Sequence, residues 1–332
     1  MSGPGRTRDS DPVVSGADRT DIEFPAHDGT TLRGWLYQPS ADGTTRPGIV
    51  MTHGFSATKE MALDPYAEVF CAGGLAVLVY DHRCLGSSDG EPRQLVDPWA
   101  QSRDTIAALD WLEGIEGIDP TRLGLWGSSF SGGHALVVGA LDQRVGAVAA
   151  NVPFVGRPEA MQTDDDAFDR LAVGVRTHTQ GVDDPVGPLP VVAERGMDGG
   201  AVMPQPEAAE WFLDEGRRPG SRWQNRVLLP GGSRMGDFDP AVVLPRLHTP
   251  TLLVVASEDR VAPTSAGLAA FELLPGAKEL LVIEGHHFTP YAGEELAESA
   301  TAALAFYQAW LSSPGAKPKT SNSRAEVRAA ER

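Results

Sequence analysis

One stretch of the chain decides the fold: Leu123-Gly124-Leu125-Trp126-Gly127-Ser128-Ser129-Phe130-Ser131-Gly132-Gly133. An apolar run leads through small residues into a helical pattern, which is the context of a nucleophile elbow between a strand and a helix. In such a turn the residues two before and two after the nucleophile nearly touch, so both must be small. Gly127 and Ser131 satisfy this demand around Ser129. The stretch therefore predicts that the Ser129 hydroxyl is a nucleophile raised above the ends of the strands.

Two neighbouring hydroxyls compete with Ser129 for this role. The alternative without function is that the stretch is only a Gly- and Ser-rich connection between a strand and a helix. With Ser128 as the nucleophile, Trp126 and Phe130 would stand at the two crowded positions, which is sterically unfavourable. Ser131 is the other rival, and Ser129 is preferred over both. The backbone N–H of Phe130 would then point at the place where an oxyanion forms, and the helix N-terminus would add its positive dipole end.

A serine hydroxyl is a weak nucleophile at neutral pH and requires a base. Late in the chain, an apolar run that ends at Ile283 is followed by Glu284-Gly285-His286-His287-Phe288, which places two histidines on a loop at the carboxyl edge of the predicted sheet. The acid that orients the imidazole is expected after the preceding strand, where the run 251–257 is followed by Glu258 and Asp259. From the residues alone, the base can be either His286 or His287, and the acid can be either Glu258 or Asp259.

A second oxyanion donor is expected on the loop after the first parallel strand. That loop reads His53-Gly54-Phe55-Ser56, and the backbone N–H of Phe55 is the candidate donor. We interpret His53 as a brace for this loop rather than as a catalytic base.

Short apolar runs alternate with helical stretches through most of the chain, which indicates a mostly parallel sheet with helices on both faces. An antiparallel hairpin over 21–39, around the turn Asp28-Gly29, precedes them. The predicted strands are 48–52, 76–80, 123–126, 145–150, 251–256 and 279–283. The predicted helices are 65–72, 100–113, 131–141, 265–274 and 294–311.

About 90 residues, far more than a crossover needs, separate the predicted strand 145–150 from the next one, 251–256. We interpret 154–247 as an inserted helical cap, with helical patterns at 165–177, 207–216 and roughly 219–227. The core is then 21–153 together with 248–311, and the polar ends 1–20 and 312–332 are predicted to be disordered tails. The cap supplies candidate pocket residues: Met203, Trp211, Phe212, Trp223 and Met235.

Composition and charge disfavour several classes of function. The formal net charge of −17 opposes binding to phosphate backbones and anionic membrane surfaces, so we expect neither nucleic acid nor membrane as a partner. The only cysteines, Cys71 and Cys84, form no disulfide framework, and the polar N-terminus lacks a secretory signal, so a cytoplasmic location is expected. Adjacent His286 and His287 diverge and no dinucleotide fingerprint occurs, so we expect no metal and no cofactor.

From about 21 to 311 the chain resembles an α/β hydrolase, most closely the dienelactone-hydrolase-like and X-prolyl-peptidase-like branch. The residues that carry the resemblance are His53-Gly54-Phe55, Tyr80-Asp81-His82-Arg83 with Gly86-Ser87-Ser88, the elbow from Gly127 to Gly133, Asp259 with Pro263, and His287-Phe288 with Tyr291. The order Ser, acid, His is that of this fold. In the branch, Phe follows the catalytic His and Tyr stands four residues on, which implies His287 rather than His286. The loop 80–88 is implied to be a structural ledge beside the site.

We predict acyl transfer from a small-molecule substrate through a covalent intermediate. Ser129 is predicted to attack an ester or thioester carbonyl, His287 to take its proton and Asp259 to orient His287. The amides of Phe55 and Phe130 are predicted to hold the oxyanion, and water to release the acid.

Three rival hypotheses remain beside hydrolysis. The branch includes acyl-transferring enzymes of polyketide pathways, which implies either transfer to an alcohol or elimination of an acyloxy group such as acetate. A binding protein without catalysis is the hypothesis from a different class. Retention of Ser129, Asp259 and His287 together argues against it.

Overall fold

An eight-stranded sheet organises this computed structural model, which describes residues 18–158, 165–177, 184–194, 200–232 and 234–312. The strands of the chain are β1 (Asp18–Pro25), β2 (Thr31–Gln38), β3 (Arg46–Thr52), β4 (Ala76–Tyr80), β5 (Ile118–Ser128), β6 (Val145–Asn151), β7 (Val186–Leu189), β8 (Val227–Leu229), β9 (Thr251–Ala256) and β10 (Lys278–Ile283). The order across the large sheet is β1-β2-β4-β3-β5-β6-β9-β10. β2 pairs antiparallel with β1 and β4, and all other neighbours pair parallel. The predicted mostly parallel sheet with an antiparallel hairpin is confirmed.

Helices cover both faces of this sheet. They are α1 (Asp64–Ala72), α2 (Pro98–Glu113), α3 (Phe130–Leu141), α4 (Asp165–Thr177), α5 (Pro206–Gly216), α6 (Arg234–Asp237), α7 (Thr264–Leu273) and α8 (Gly293–Leu311). Val77 and Val79 of β4 pack on the side of α1 and α8, whereas Leu78 packs on the side of α2 and α3. Because both faces are covered, all five residues of β4 are buried, and the strand is apolar without alternation.

The long insertion lies between β6 and β9, as predicted, and its described parts divide into two groups. α4 packs beside α2, and its Leu171 and Val175 share an apolar cluster with Val137 of α3. A 3₁₀ helix (Pro240–Arg246) packs on the core next to them. α5 packs instead with the residues around Ser129 and His287, in a cluster that includes Phe212 and Phe288. The predicted helices at 165–177 and 207–216 are confirmed, and of these two only α5 covers the site.

The predicted helix at 219–227 is wrong. The segment after α5 turns at Gly220, whose φ is +89°, and it continues into β8, which pairs antiparallel with β7. Leu228 also donates its N–H to the carbonyl of Gln94 and accepts the N–H of Val96, at 2.8 and 2.9 Å. These backbone hydrogen bonds to a distant loop stabilise an extended conformation that the local pattern does not reveal.

The loop between β4 and α2 is fixed by buried charges, as expected for a ledge beside the site. Asp81 accepts from Nζ of Lys59 at 2.7 Å and from the N–H of Ser87 at 2.8 Å. The backbone at Gly86 has a φ of +48°, and a Cβ there would lie 2.3 Å from the Asp81 carboxylate, so only glycine fits. Arg83 follows in the same loop.

The prediction of a disordered tail at 1–20 is wrong for residues 18–20, because β1 begins at Asp18. Residues 1–17 and 313–332, the rest of the two predicted tails, lie outside the described residues. Within the described ranges, no helix is both long and apolar enough to cross a membrane.

The buried ion pair of Arg83 with Asp104 of α2 leads to a stability prediction. Arg83 donates from Nε to Oδ2 of Asp104 at 2.7 Å, and Asp104 is fully buried. Asp104→Asn leaves the guanidinium with only the Asp28 carboxylate at 2.7 Å, and it should lower the free energy of unfolding by about 3 kcal/mol in urea titration. Asp110→Asn, on the same helix but 42% exposed, should cost less than about 1 kcal/mol. Equal losses would contradict the assignment.

Candidate active site

The turn between β5 and α3 has the tight geometry that the sequence predicts. Ser129 has a φ of 52° and a ψ of −116°, which is a sparsely populated conformation for a residue with a side chain. A Cβ on Gly127 would lie 2.0 Å from the carbonyl oxygen of Ser131, so position 127 admits only glycine. The Ser129 N–H donates to the carbonyl of Asn151 at 2.8 Å, and the Ser129 carbonyl accepts from Phe154 at 2.8 Å. Backbone hydrogen bonds thus hold the strained residue in place.

Three predicted side chains meet in one hydrogen-bonded series. Nε2 of His287 lies 2.9 Å from Oγ of Ser129, and Nδ1 of His287 lies 2.7 Å from Oδ2 of Asp259. The other carboxylate oxygen of Asp259 accepts the N–H groups of Val261 and Ala262, both at 2.8 Å. Because a carboxylate only accepts, Nδ1 carries the imidazole proton and Nε2 is left to accept from the serine hydroxyl.

The structure separates the residues that the sequence left open at the base and the acid. His286 is exposed, and its Nδ1 accepts the N–H of Phe288 at 3.1 Å. Glu258 is also exposed, and its N–H donates to the carbonyl of Gly285 at 2.8 Å. Only Asp259 and His287 of the two pairs are brought to Ser129.

The rival serines of the elbow point elsewhere. Ser128 is fully buried, and its hydroxyl hydrogen-bonds that of Tyr291. Oγ of Ser131 lies 2.8 Å from Nε2 of His82 and 3.1 Å from Nδ1 of His134. Both hydroxyls are therefore engaged inside the protein, whereas Ser129 faces the cavity described below.

The loop that carries Phe55 passes directly beside Ser129. A Cβ on Gly54 would lie 3.1 Å from that of Ser129, and the rings of Phe55 and Phe130 meet edge to face at 5.5 Å. Phe130 is the first residue of α3, where backbone N–H groups have no intrahelical acceptor. His53 holds the loop from below, because its Nε2 accepts the His82 N–H at 3.1 Å and its Nδ1 lies 3.0 Å from the Gly54 carbonyl oxygen.

A largely apolar cavity opens onto Ser129 and His287. Of the side chains predicted to form a pocket, Met203, Trp211 and Phe212 line it. Trp223 does not, because it packs behind Phe212 at 5.4 Å and against Gly216. Met235 belongs to the same apolar cluster without lining the cavity. The remaining lining residues are Gly54, Phe55, Ala57, Met61, Leu63, Phe288 and Tyr291.

Ala57, Met61 and Leu63 are the lining residues that the sequence did not reveal. They stand between β3 and α1, and all three are buried. Their apolar character is the same as that of core residues, so the sequence holds no signal that separates a pocket wall from the core at these positions. The position of the preceding His53-Gly54-Phe55 loop is the one available indication.

Both cysteines are buried and take no part in this arrangement. Cys71 packs in the core beside α8, and burial raises the pKa of the Cys84 thiol to about 12, which keeps it protonated near neutral pH. Among the described residues, no group of three or more His, Cys, Asp or Glu side chains is placed to hold a metal ion.

Three buried histidines surround Ser131 beneath the elbow. The rings of His53 and His82 are 4.7 Å apart and those of His82 and His134 are 5.4 Å apart. Burial lowers the pKa of all three, that of His134 to about 3, so all three are neutral at pH 7. The hydroxyl of Ser131 has one proton, so it donates to one imidazole and accepts from the other. Neutral imidazoles thus support the turn from inside the protein.

The chain is similar to known proteins along most of its length. The sequence model of the X-Pro dipeptidyl-peptidase (S15) family matches residues 28–289, a span that includes Ser129, Asp259 and His287. A thiohydrolase of Eupenicillium brefeldianum is 31% identical over 274 residues, covering 81% of this chain and 87% of the relative. A polyketide transferase of Aspergillus fumigatus is 32% identical over 299 residues, covering 89% of this chain and 99% of the relative.

The fold is also that of a solved structure. The α/β hydrolase GrgF from Penicillium matches with a TM-score of 0.68 at 28% identity, and the match covers 89% of this chain and 99% of the other. The predicted α/β-hydrolase fold is confirmed.

The buried histidines lead to a pH-dependence prediction. His134 has a pKa of 6.5 in the unfolded chain and about 3 in the folded protein. Its neutral imidazole therefore contributes fully to the free energy of unfolding above pH 6.5, and this contribution is lost as the pH falls. Between pH 7.5 and pH 5 this loss is about 2 kcal/mol, at about 1.36 kcal/mol per pH unit below 6.5. In urea titrations, His134→Asn should remove that part of the decline, and the same change at exposed His248 should leave it. An unchanged decline in His134→Asn would contradict the prediction.

Proposed function

The chain belongs to the X-Pro dipeptidyl-peptidase (S15) family of α/β-hydrolase-fold enzymes, and we propose that it is a serine hydrolase that cleaves a carboxylic ester or thioester through an acyl-serine intermediate. One observation carries the proposal: Asp259, His287 and Ser129 form a hydrogen-bonded series at the wall of an apolar cavity. A nucleophile, a base and an orienting acid beside a cavity are the parts that nucleophilic acyl transfer requires.

Acylation begins at the 2.9 Å contact between Ser129 Oγ and His287 Nε2. Nε2 accepts the hydroxyl proton as Oγ attacks the carbonyl carbon of the substrate. The imidazolium that forms is stabilised by the Asp259 carboxylate, 2.7 Å from Nδ1. His287 then gives the proton to the departing alcohol or thiol, and the acyl group stays on Ser129.

The negative charge of the tetrahedral intermediate requires donors on the far side of Ser129 from His287. We assign this role to the backbone N–H groups of Phe130, at the start of α3, and of Phe55, on the adjacent loop. The positive end of the α3 dipole adds to the same field. Deacylation repeats these steps with water as the nucleophile and His287 as its base, and it releases the carboxylic acid.

The cavity walls favour an uncharged acyl group. Met61, Leu63, Met203 and Phe212 gain by burying apolar substrate surface, at about 25 cal/mol per Å². A charged group among such side chains would lose its hydration without compensation. The relative named a thiohydrolase supports thioesters among the candidate substrates.

Transfer of the acyl group to an alcohol is the second candidate. The relative named a polyketide transferase favours it, and so does the burial of His287, whose ring meets that of Phe288, which in turn stacks on Trp211. A site that restricts water gives a second substrate the chance to deacylate Ser129. We retain hydrolysis as the proposal because water is the default acceptor of an acyl-serine.

Labelling with a fluorophosphonate tests the nucleophile and its base. The wild type should be labelled on the peptide that contains Ser129, detected by mass spectrometry, and Ser129→Ala should remove the label. His287→Ala should slow labelling on the order of 10⁴-fold or more, because the serine loses its base. His286→Ala, the adjacent exposed histidine, should label within about twofold of the wild type. No label on wild-type Ser129 would favour the binding-protein hypothesis.

Isotope labelling tests the fate of the acyl group. An ester of an alkyl alcohol that carries a hydrogen on its β-carbon, turned over in ¹⁸O-labelled water, should release an acid with one label on its carboxylate, because water attacks the acyl carbonyl. A new ester formed with an added alcohol, at the expense of the acid, would support transfer. An unlabelled acid together with an alkene in the other product would indicate elimination and overturn the proposal.

A further inference from the structure

The first two turns of α5 contact both loops that supply partners to Ser129, and the contact with the loop of the acid comes from the first turn. We propose that Glu207, in this turn, is a positioning residue that aligns the carboxylate of Asp259 through Arg260. The proposal rests on the proposed function, because the alignment matters for the proton transfer between Ser129 and His287. Under this proposal the insertion has two roles: it forms part of the pocket wall, and it aligns the acid that orients His287.

Arg260 is held by α5 at two places. Its Nε and Nη2 donate to the two carboxylate oxygens of Glu207, at 3.1 and 2.8 Å. Its carbonyl oxygen accepts from Nε2 of Gln205, the residue just before α5, at 3.1 Å. Both the side chain and the backbone of Arg260 are therefore fixed by the insertion.

Arg260 lies inside the turn that orients the acid. Asp259 precedes it, and Val261 and Ala262, whose N–H groups bind Oδ1 of Asp259 at 2.8 Å, follow it. A shift of the Arg260 backbone moves these donors, and the carboxylate moves with them. Oδ2 of the same carboxylate is 2.7 Å from Nδ1 of His287, so the shift reaches the base.

The burial of Glu207 distinguishes this ion pair from an ordinary surface pair. The Glu207 side chain is 7% exposed, whereas that of Arg260 is 69% exposed. Surface ion pairs contribute little, but a buried carboxylate deprived of its partner is costly. The two partners are thus not equivalent: loss of Arg260 leaves a buried charge, while Glu207→Gln leaves an arginine in water.

The same face of α5 reaches the loop of the base. Trp211 stands one turn after Glu207, which places both on one side of the helix. Its ring stacks on that of Phe288 at 5.1 Å and 25°, and Phe288 directly follows His287. Glu207 and Trp211, one helical turn apart, therefore contact the residue after the acid and the residue after the base. Trp211 also lines the cavity.

The chain offers a matched control on the same helix. Arg218 pairs with Glu215 at 2.9 Å, with exposed fractions of 53% and 8%, close to those of the Arg260 pair. This second pair joins neighbouring residues at the end of α5 and does not include the acid loop. If substitutions act only by destabilising α5, changes in either pair should lower kcat. If Glu207 positions Asp259, only changes in the Arg260 pair should lower it.

The experiment compares Arg260→Ala, the double variant Arg260→Ala/Glu207→Gln and the control Arg218→Ala/Glu215→Gln. Measured quantities are Tm, kcat and KM for p-nitrophenyl butyrate, and the downfield proton NMR signal of the His287 Nδ1–H, assigned by its loss in Asp259→Asn. Arg260→Ala should lower Tm, and the double variant should regain it, because the glutamine amide carries no charge to leave unpaired. The double variant should still show about tenfold lower kcat, KM within about twofold, and a shifted or broadened signal. The control should match the wild type in kcat and signal.

Wild-type kcat and an unchanged signal in the double variant would overturn the proposal, and so would an equal loss of kcat in the control. If the double variant does not fold, Arg260→Lys replaces it, since lysine keeps the charge but cannot make the two-pronged contact, and the same reduction in kcat is expected. A wild type that neither hydrolyses the ester nor labels at Ser129 would contradict the proposed function alone. The NMR signal of the variants would then still decide whether Glu207 aligns Asp259.

Discussion

The close approach of the backbone at positions 127 and 131 is the constraint on which the rest of the site depends. No side chain fits at Gly127, and the turn that results gives Ser129 its positive φ. Such conformations persist only where the surroundings determine them, and here β6 and the start of the insertion do so through hydrogen bonds to the Ser129 backbone. The direction of the Ser129 side chain follows from this turn. The acid, the base and the Phe55 loop all have to be placed relative to the Ser129 hydroxyl.

Parallel strands bring those groups together. Ser129 follows β5, Asp259 follows β9 and His287 follows β10, and the Phe55 loop follows β3. Because parallel strands share a direction, their carboxyl ends lie at one edge of the sheet, where residues distant in sequence become neighbours. Hydrogen bonds then fix the distances: two backbone N–H groups orient Asp259, and its carboxylate sets the imidazole tautomer of His287. The arrangement is built largely from hydrogen bonds that exist before any substrate arrives.

The sheet, its helices and the approach of Ser129 to His287 could be predicted from the sequence because each depends on local signals read in chain order. The strands are apolar runs, the elbow is a contiguous motif, and the histidine follows a recognisable strand. What could not be predicted depends on contacts between distant segments. The segment at 219–227 turns at Gly220 and leads into β8, whose Leu228 makes hydrogen bonds with Gln94 and Val96. Trp223 packs on Phe212 and Gly216 and does not line the cavity. Met61 and Leu63 line the cavity although their composition is that of a core.

The place of the insertion bears on how this protein can diverge. It leaves the sheet after β6 and returns at β9, its partner, where Asn151 stands opposite Val254. The free energy of closing a loop rises by only about 0.6 kcal/mol for each doubling of its length. Mutations that lengthen, shorten or exchange this stretch should therefore cost the sheet little stability. Met203, Trp211 and Phe212 would change with it, and the elbow would not. Recombination at this junction would also remove the Glu207 carboxylate that holds the guanidinium of Arg260, unless the replacement segment supplied another.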